Sequence, residues 1–416
     1  MDEVASHRHP WKITEEGSSR NPSNKRRDRI LNERLAEFGT TIFAEMSALA
    51  LATASINLGQ GFPDTDGPHE IKEAAISAIK AGHNQYPPGR GIPALLEAVS
   101  QHQSRFYGLE YNPTNEILIT AGATEAITAA VLALCEPGDE VLVFEPYYDS
   151  YVAAVAMSGA TRRTVPLRPP SWEFDPTELR RAINPRTRLL LLNTPHNPTG
   201  KVFNRHELET IADIANEFDL IVITDEVYEH LVYEGVHLAI ASFEGMRDRT
   251  ITISSAGKSF SFTGWKIGWA CGPSTLVSAV QMAKQFLTYV NGAPFQHAIV
   301  EALTLPDSYF QNLRKNMLRK RDLLSAGLSE IGFEVLPTAG TYFLNTSIAR
   351  VSNEDSIAFC HLLPERCGVV AIPTSVFFDS KTIGSGLVRW AFCKREEVLH
   401  EAITRMKFFK SPQRPI

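Results

Sequence analysis

The chain begins without apolar periodicity. Residues 1 to about 30 hold His, Ser, Asn and Pro around the basic run Lys25-Arg26-Arg27-Asp28-Arg29, the texture of a solvated tail. From Ile30, apolar positions recur at helical spacing (Leu31, Leu35, Phe38, Ile42, Phe43, Met46, Leu49), which predicts a helix docked on the body. The same spacing returns over 68–81 and 93–107. Short apolar runs of strand length follow at 117–120, 141–144, 189–192, 220–224 and 251–254, with helices expected over 124–135, 147–158 and 205–217. Strands that are apolar throughout, with helices between them, imply a mainly parallel sheet covered on both faces. Beyond about 306 a charged helix (307–331) leads into shorter strands at 333–336, 341–345, 368–372 and 386–392. The expected architecture is α/β. A flexible tail (1–38) precedes a segment (39–65) that packs with the small domain. A large domain (66–305) carries a mainly parallel mixed sheet, and a small α+β domain (306–416) follows.

Composition narrows the class. The 416 residues carry 41 Lys and Arg against 47 Asp and Glu, a formal net charge of −6, which argues against nucleic-acid binding. With 44% hydrophobic and 21% charged residues the balance is that of a globular protein, and no apolar run approaches the ~20 residues that span a bilayer. The five cysteines, Cys135, Cys271, Cys360, Cys367 and Cys393, are odd in number and contain no C-x-x-C, so neither a disulfide framework nor a zinc or other metal site is expected. Met1-Asp-Glu-Val4 lacks the order of a signal peptide, which points to a cytoplasmic protein with reduced thiols.

The chemistry gathers where the strands end. In open α/β sheets, ligands bind beyond the carboxyl ends of the strands. The first run is followed by Ala121-Gly-Ala-Thr-Glu125, small residues opening a helix whose N-terminus favours an anion. The run at 189–192 is followed by Asn193-Thr-Pro-His-Asn-Pro-Thr-Gly200, a rigid extended turn. After 220–224 comes Asp225-Glu-Val-Tyr228, and a carboxylate at a buried strand end must be paired. After 251–254 comes Ser255-Ala-Gly-Lys258, where desolvation would lower the pKa of a nucleophilic amine. Singly, each is an ordinary turn, cap or ion pair. Together they bring an amine, a carboxylate, an amide and an anion cradle to one sheet edge. That set suits the aldehyde of a phosphorylated pyridine.

In this order the motifs resemble those of fold-type I, class I/II aminotransferases, which use pyridoxal phosphate. The likeness spans about 40 to 408. It rests on Asn57-Leu-Gly-Gln-Gly-Phe-Pro-Asp64, Asn84-Gln-Tyr86, the segments 193–200, 225–228 and 255–258, and Gly264-Trp-Lys-Ile-Gly-Trp269. Within the family they resemble the kynurenine/glutamine/methionine branch. They are most similar to actinobacterial N-succinyldiaminopimelate aminotransferases, through stretches such as Thr224-Asp-Glu-Val-Tyr-Glu-His-Leu-Val232.

The resemblance implies that Lys258 holds the cofactor as a Schiff base and moves the Cα proton. Asp225 would pair with the ring nitrogen, Asn197 and Tyr228 with the ring oxygen, and Tyr148 would stack on the ring. Ala123, Thr124, Ser255 and Lys266 would hold the phosphate, with Tyr86 reaching in from the second subunit of a homodimer. Lys266 stands where many relatives have Arg, which implies a looser phosphate grip. Arg389 would clamp the substrate carboxylate beside Asn197, and Gly61 would let substrate approach the backbone. The activity implied is a ping-pong transfer from an L-amino acid to a 2-oxo acid, 2-oxoglutarate, in lysine biosynthesis. The alternative is a kynurenine, glutamine, methionine or aromatic aminotransferase with cysteine-conjugate β-lyase activity. A regulator fused to a DNA-binding domain is disfavoured, because residues 1–38 are too short and irregular for a winged helix. The segment 289–296 is expected by the pocket across the dimer, and Arg90 is the candidate for binding a distal carboxylate of the substrate.

Overall fold

The five apolar runs become strands of one sheet. The computed structural model describes residues 32–410. A two-residue strand, β1 (Ile56–Asn57), precedes β2 (Ile117–Thr120), β3 (Glu140–Glu145), β4 (Thr161–Pro166), β5 (Thr187–Asn193), β6 (Ile221–Asp225), β7 (Thr250–Ser255) and β8 (Gly268–Cys271). Strands β2 to β8 form a seven-stranded sheet in the order β2-β8-β7-β6-β5-β3-β4. Pairing is parallel from β7 to β4 and antiparallel where β8 meets β2 and β7. Strands β3 and β7 are buried along their whole length, as expected of central strands covered on both faces.

Helices His69–Lys80, Pro93–Tyr107 and Ala293–Leu303 share an apolar cluster with β2 and β8. Helix Arg205–Glu217, which opens on a reciprocal cap between Asn204 and Glu207, shares another with β3, β5 and β6. The register levels the strand ends. Asn193 stands opposite Asp225, Ser255 opposite Gly268, and Gly268 opposite Thr120. Because β8 runs backwards, its first residue lies at the edge where its parallel neighbours finish.

A second sheet joins β9 (Glu334–Val335), β10 (Phe343–Ser347), β12 (Ile372–Pro373) and β13 (Leu387–Ala391) in the antiparallel order β12-β13-β10-β9, while β11 (Val369–Val370) pairs in parallel with β1. Helices Asp307–Ile331, Ser356–Cys367 and Glu396–Lys407 bury their apolar faces with this sheet, around Val388 and Trp390. The N-terminal segment is laced into it. Leu58 donates to Val370 O at 2.9 Å and accepts from Ala391 N at 2.6 Å. Those bonds hold the loop Gly59–Gly61 beside β13.

The helix expected from Ile30 onward is interrupted. Asn32 caps a single turn at Glu33–Leu35, and the helix proper is Ile42–Ala52, capped by the Thr41 hydroxyl on Ala44 N at 3.2 Å. Gly39, Thr40 and Thr41 break the periodicity. The expected strand 368–372 divides at Ala371 into β11 and β12, which join different sheets. The tail and its basic run, residues 1–31, lie outside the described residues. Strand β4 carried no apolar signal because it is an edge strand with alternate side chains in water. Among the described residues no helix is long and apolar enough to cross a membrane, and the five cysteines are free and buried.

Candidate active site

Where the carboxyl edge of the large sheet faces β13, the chain encloses a cavity of about 330 Å³. Its cationic lining residues are Lys258, Lys266 and Arg389, with Asp225 as the carboxylate, so it suits an anionic ligand.

One end is an anion cradle. Helix Gly122–Leu134 begins there, directing the unspent N–H groups of its first turn at the cavity beside Ala123 and Thr124. Gly122 has φ +78°, and a Cβ there would fall 3.2 Å from Lys266 Nζ. Lys266 itself has φ +55°. Asn291 fixes this backbone from behind, donating to Lys266 O at 3.0 Å and Thr120 O at 2.8 Å. Ser255 Oγ accepts Gly257 N at 3.2 Å and keeps its own O–H available.

The floor is a row of strand ends. Asp225 is 5% exposed, and burial pushes its carboxyl up to about 6. Two donors oppose that shift: the Tyr151 hydroxyl reaches Oδ2 at 2.7 Å and Val227 N reaches Oδ1 at 3.2 Å. Asn193 ties neighbouring strand ends together, donating to Asp225 O at 2.8 Å and accepting Asn197 N at 2.7 Å. The peptides Thr194-Pro195 and Asn197-Pro198 are cis. Tyr148 stands edge-on to Tyr151, centroids 5.7 Å apart, and burial raises its phenol to about 12.

Lys258 lies on the short helix Ala256–Ser259 that ends β7. Burial lowers its amine to about 8, partly offset by Asp225. Its Nζ donates to Gly61 O at 3.5 Å. Arg389, on β13, is 1% exposed among the rings of Phe43, Phe343 and Phe377. Its Nη1 donates to Asn197 Oδ1 at 2.9 Å and Nη2 to Gly59 O at 2.8 Å, while Nε is buried without a partner. A guanidinium on a cavity wall with N–H groups left over is a ready donor to a ligand carboxylate.

The structure therefore brings Lys258, Asp225, Asn197, Tyr228, Tyr148, Ala123, Thr124, Ser255, Lys266, Arg389 and Gly61 onto one cavity. Tyr86 is not among them: it is 81% exposed, edge-on to Tyr289. Arg90 does not face the cavity either. Its guanidinium donates to Asn115 O at 3.2 Å and Ser278 Oγ at 3.2 Å, near the start of β2 rather than its end, so it braces a turn. Within this chain, Asn291 and Gln296 of the segment 289–296 buttress the cradle instead of lining the cavity.

Sequence reasoning missed Tyr151, Phe43, Gln60, Thr263 and Phe343, all of which line the cavity. Tyr151 could have been found, since it lies in the first turn of the helix that Tyr148 caps, three positions on. The others arrive from distant segments. Outside the cavity, His102 Nε2 and His230 Nε2 are 2.8 Å apart, near Glu229. That separation is a hydrogen bond between rings held neutral by burial; two nitrogens on one tetrahedral ion stand more than about 3 Å apart.

A mixed seven-stranded sheet with a lysine, a buried carboxylate and an anion cradle at its carboxyl edge, faced by an arginine from a second sheet, is a fold-type I α/β architecture. The family model for class I and II aminotransferases matches residues 53–406, and the chain belongs to that family of transaminases. It is 53% identical over 384 residues to the probable N-succinyldiaminopimelate aminotransferase DapC of Mycobacterium tuberculosis, covering 90% of this chain and 97% of that one. The solved structure of N-succinyldiaminopimelate aminotransferase from Mycobacterium tuberculosis matches with a TM-score of 0.89 at 53% identity, over 91% of this chain and 100% of the other. Methionine aminotransferase of Escherichia coli is 38% identical over 379 residues, 91% of this chain and 98% of that one. Human kynurenine–oxoglutarate transaminase 3 is 37% identical over 401 residues, 89% and 88%.

Proposed function

We propose that this transaminase binds pyridoxal phosphate in the cavity and moves the amino group of N-succinyl-LL-diaminopimelate to 2-oxoglutarate in two half-reactions. The observation that carries the reading is the convergence of Lys258, Asp225, Arg389 and a helix N-terminus on one cavity. The donor set fits the cofactor: an amine near neutrality, a buried carboxylate, hydroxyl and amide donors between them, and an anion cradle beyond. The 53% identity to the mycobacterial enzyme supports the donor. Phe43, Tyr148 and Phe343 in the lining favour a second reading, in which aromatic and methionine-like donors are used.

Pyridoxal phosphate, when bound, supplies an aldehyde for the substrate amine and a ring that takes up the electron pair left at Cα. The rest falls to the chain. The first-turn N–H groups at Ala123 and Thr124, with Ser255 and Lys266, hold the phosphate. Asp225, kept ionised by Tyr151 and Val227 N, holds a proton on the ring nitrogen. Asn197 and Tyr228 would hold the ring oxygen, and Tyr148 would stack on the ring. Arg389 takes the substrate α-carboxylate through its unspent N–H groups, and Gly61 lets the substrate close on the backbone. Lys258 Nζ, neutral above about pH 8, would accept the proton from Cα and deliver it to the carbon that the cofactor's aldehyde supplies.

Two copies would complete the site, with Tyr86 of each reaching the other's phosphate. Supporting a homodimer are Met282, Phe286 (84% exposed) and Tyr289, large apolar side chains left exposed, the last of them edge-on to Tyr86. Supporting a division into domains 66–305 and 306–416, with 39–65 packed on the latter, the seven-stranded sheet falls in the first range and the four-stranded sheet in the second. Buried free thiols support a cytoplasmic location.

The test is the visible absorbance of the cofactor-loaded protein, titrated with single donors and no oxo acid. The panel is N-succinyl-LL-diaminopimelate, kynurenine, methionine, glutamine, phenylalanine and aspartate. Conversion to the amine form of the cofactor by the succinylated donor alone is expected. Conversion by kynurenine or methionine instead would replace the substrate assignment, and no Lys258-dependent band would refute the cofactor.

A further inference from the structure

The Lys258 amine shares its acceptor with a buried tyrosine. The Gly61 carbonyl oxygen accepts two hydrogen bonds, one from Lys258 Nζ at 3.5 Å and one from the Tyr342 hydroxyl. Tyr342 is fully buried and stands edge-on to Tyr228, with ring centroids 5.1 Å apart at 85°. Lys258 Nζ lies 5.5 Å from the centroid of Tyr342 and 5.8 Å from that of Tyr228. The amine therefore rests against two rings with a single carbonyl as its acceptor. The loop has no slack, since a Cβ at Gly61 would fall 2.4 Å from Phe343 Cζ and 3.1 Å from Tyr342 Cε2.

Tyr342 is itself held from several sides. Thr341 before it has φ +64°, a conformation that a β-branched residue keeps only when its surroundings impose it. Its N–H donates to Leu231 O at 2.8 Å, and its carbonyl accepts the Tyr233 hydroxyl. Phe392 N donates to Tyr342 O at 2.9 Å. The segment that carries Tyr228 and the strand pair that carries Arg389 thus both grip this one tyrosine.

We propose that Tyr342 is a positioning residue for Lys258: its hydroxyl fixes the Gly61 carbonyl as the resting acceptor of the Lys258 amine when that amine is not covalently engaged. A neutral amine has two N–H groups and one lone pair, and a general base needs the lone pair free. A phenol beside it with an uncommitted proton would donate into that lone pair and quench it. Here the Tyr342 proton is committed to Gly61 O, and the same oxygen takes one amine N–H. The lone pair is left for the Cα proton. The proposal rests on Lys258 being the proton-transfer base.

The test is Tyr342→Phe in the cofactor-loaded full-length protein, which keeps the ring and its packing. Single-turnover rates of the donor half-reaction are measured with ordinary and α-deuterated donor. The expected result is a fall of about tenfold with an increased isotope effect, because proton transfer becomes slower relative to the other steps. Cofactor content and melting temperature should match the parent. In the Lys258→Ala background, with methylamine supplied as the base, adding Tyr342→Phe should change nothing, since the hydroxyl acts only through Lys258. An unchanged rate and isotope effect would overturn the proposal. So would an equal loss in the methylamine experiment, or a loss of cofactor content, either of which makes the hydroxyl structural. A parent protein converted by no donor would instead sink the aminotransferase reading beneath it.

Discussion

Arg389→Lys keeps the charge of the carboxylate site and removes its geometry. The Arg389 guanidinium has five N–H groups, of which one goes to Asn197 Oδ1 at 2.9 Å and one to Gly59 O at 2.8 Å. The remaining three, including the unpartnered Nε–H, are enough to meet both oxygens of a carboxylate while the two anchors stay made. An ammonium is a single point with three donors, so it cannot span Asn197 and Gly59 and also present two parallel donors. Hydrogen bonds to charged groups are worth about 1.5–3 kcal/mol each. Losing two, with Coulomb attraction partly retained, should cost about 2–4 kcal/mol, or about 30-fold to 1,000-fold in kcat/KM for the donor. The assay follows the half-reaction with an amino acid and with the matching amine that lacks the carboxyl group. Only the amino acid should slow. Equal slowing of both would show that Arg389 shapes the pocket rather than reads a carboxylate, and the reasoning would fail.

Two further outcomes follow from burial at the sheet edge. Lys258 is lowered to about 8, so roughly a tenth of its amine is neutral at pH 7 against about one part in 3,000 for an ordinary lysine. Capture of pyridoxal phosphate by the apo-protein should accelerate with pH up to about 8 and level off above it; a rate still climbing tenfold per unit near pH 9.5 would contradict the lowered pKa. Tyr151→Phe removes a 2.7 Å donor from a carboxyl already raised to about 6, so the ionised form of Asp225 loses stabilisation and its pKa rises by about one unit. The acidic limb of cofactor capture by the apo-protein should move to higher pH by a similar amount, and a limb that stays in place would separate Tyr151 from Asp225.

Much of the architecture was legible because the apolar runs are local statements. Four residues such as Ile117–Thr120, buried on both faces, need no knowledge of their neighbours to read as a strand. The helix Arg205–Glu217 carries its start signal in Asn204 and Glu207, three positions apart. Strand β8 was harder. Gly268-Trp-Ala-Cys271 has no alternation, and its place between β2 and β7 depends on antiparallel partners more than a dozen residues away in the chain. Arg90 was open in the sequence for a related reason: a turn arginine looks the same whether it points to a ligand or back to Asn115.

Which groups stand at strand ends is already written in the chain, because Asn193, Asp225 and Ser255 each directly close an apolar run, and the order of the motifs pointed to their chemistry. Which oxygens face which donors is settled by the fold. That Tyr151 reaches Asp225, that Arg389 meets Asn197 and Gly59, and that Tyr342 and Lys258 share the Gly61 carbonyl all depend on register and on loops laced between two sheets. Such pairings join residues 74 to 330 positions apart, and hydrogen bonds are sensitive to tenths of an ångström that no periodicity encodes.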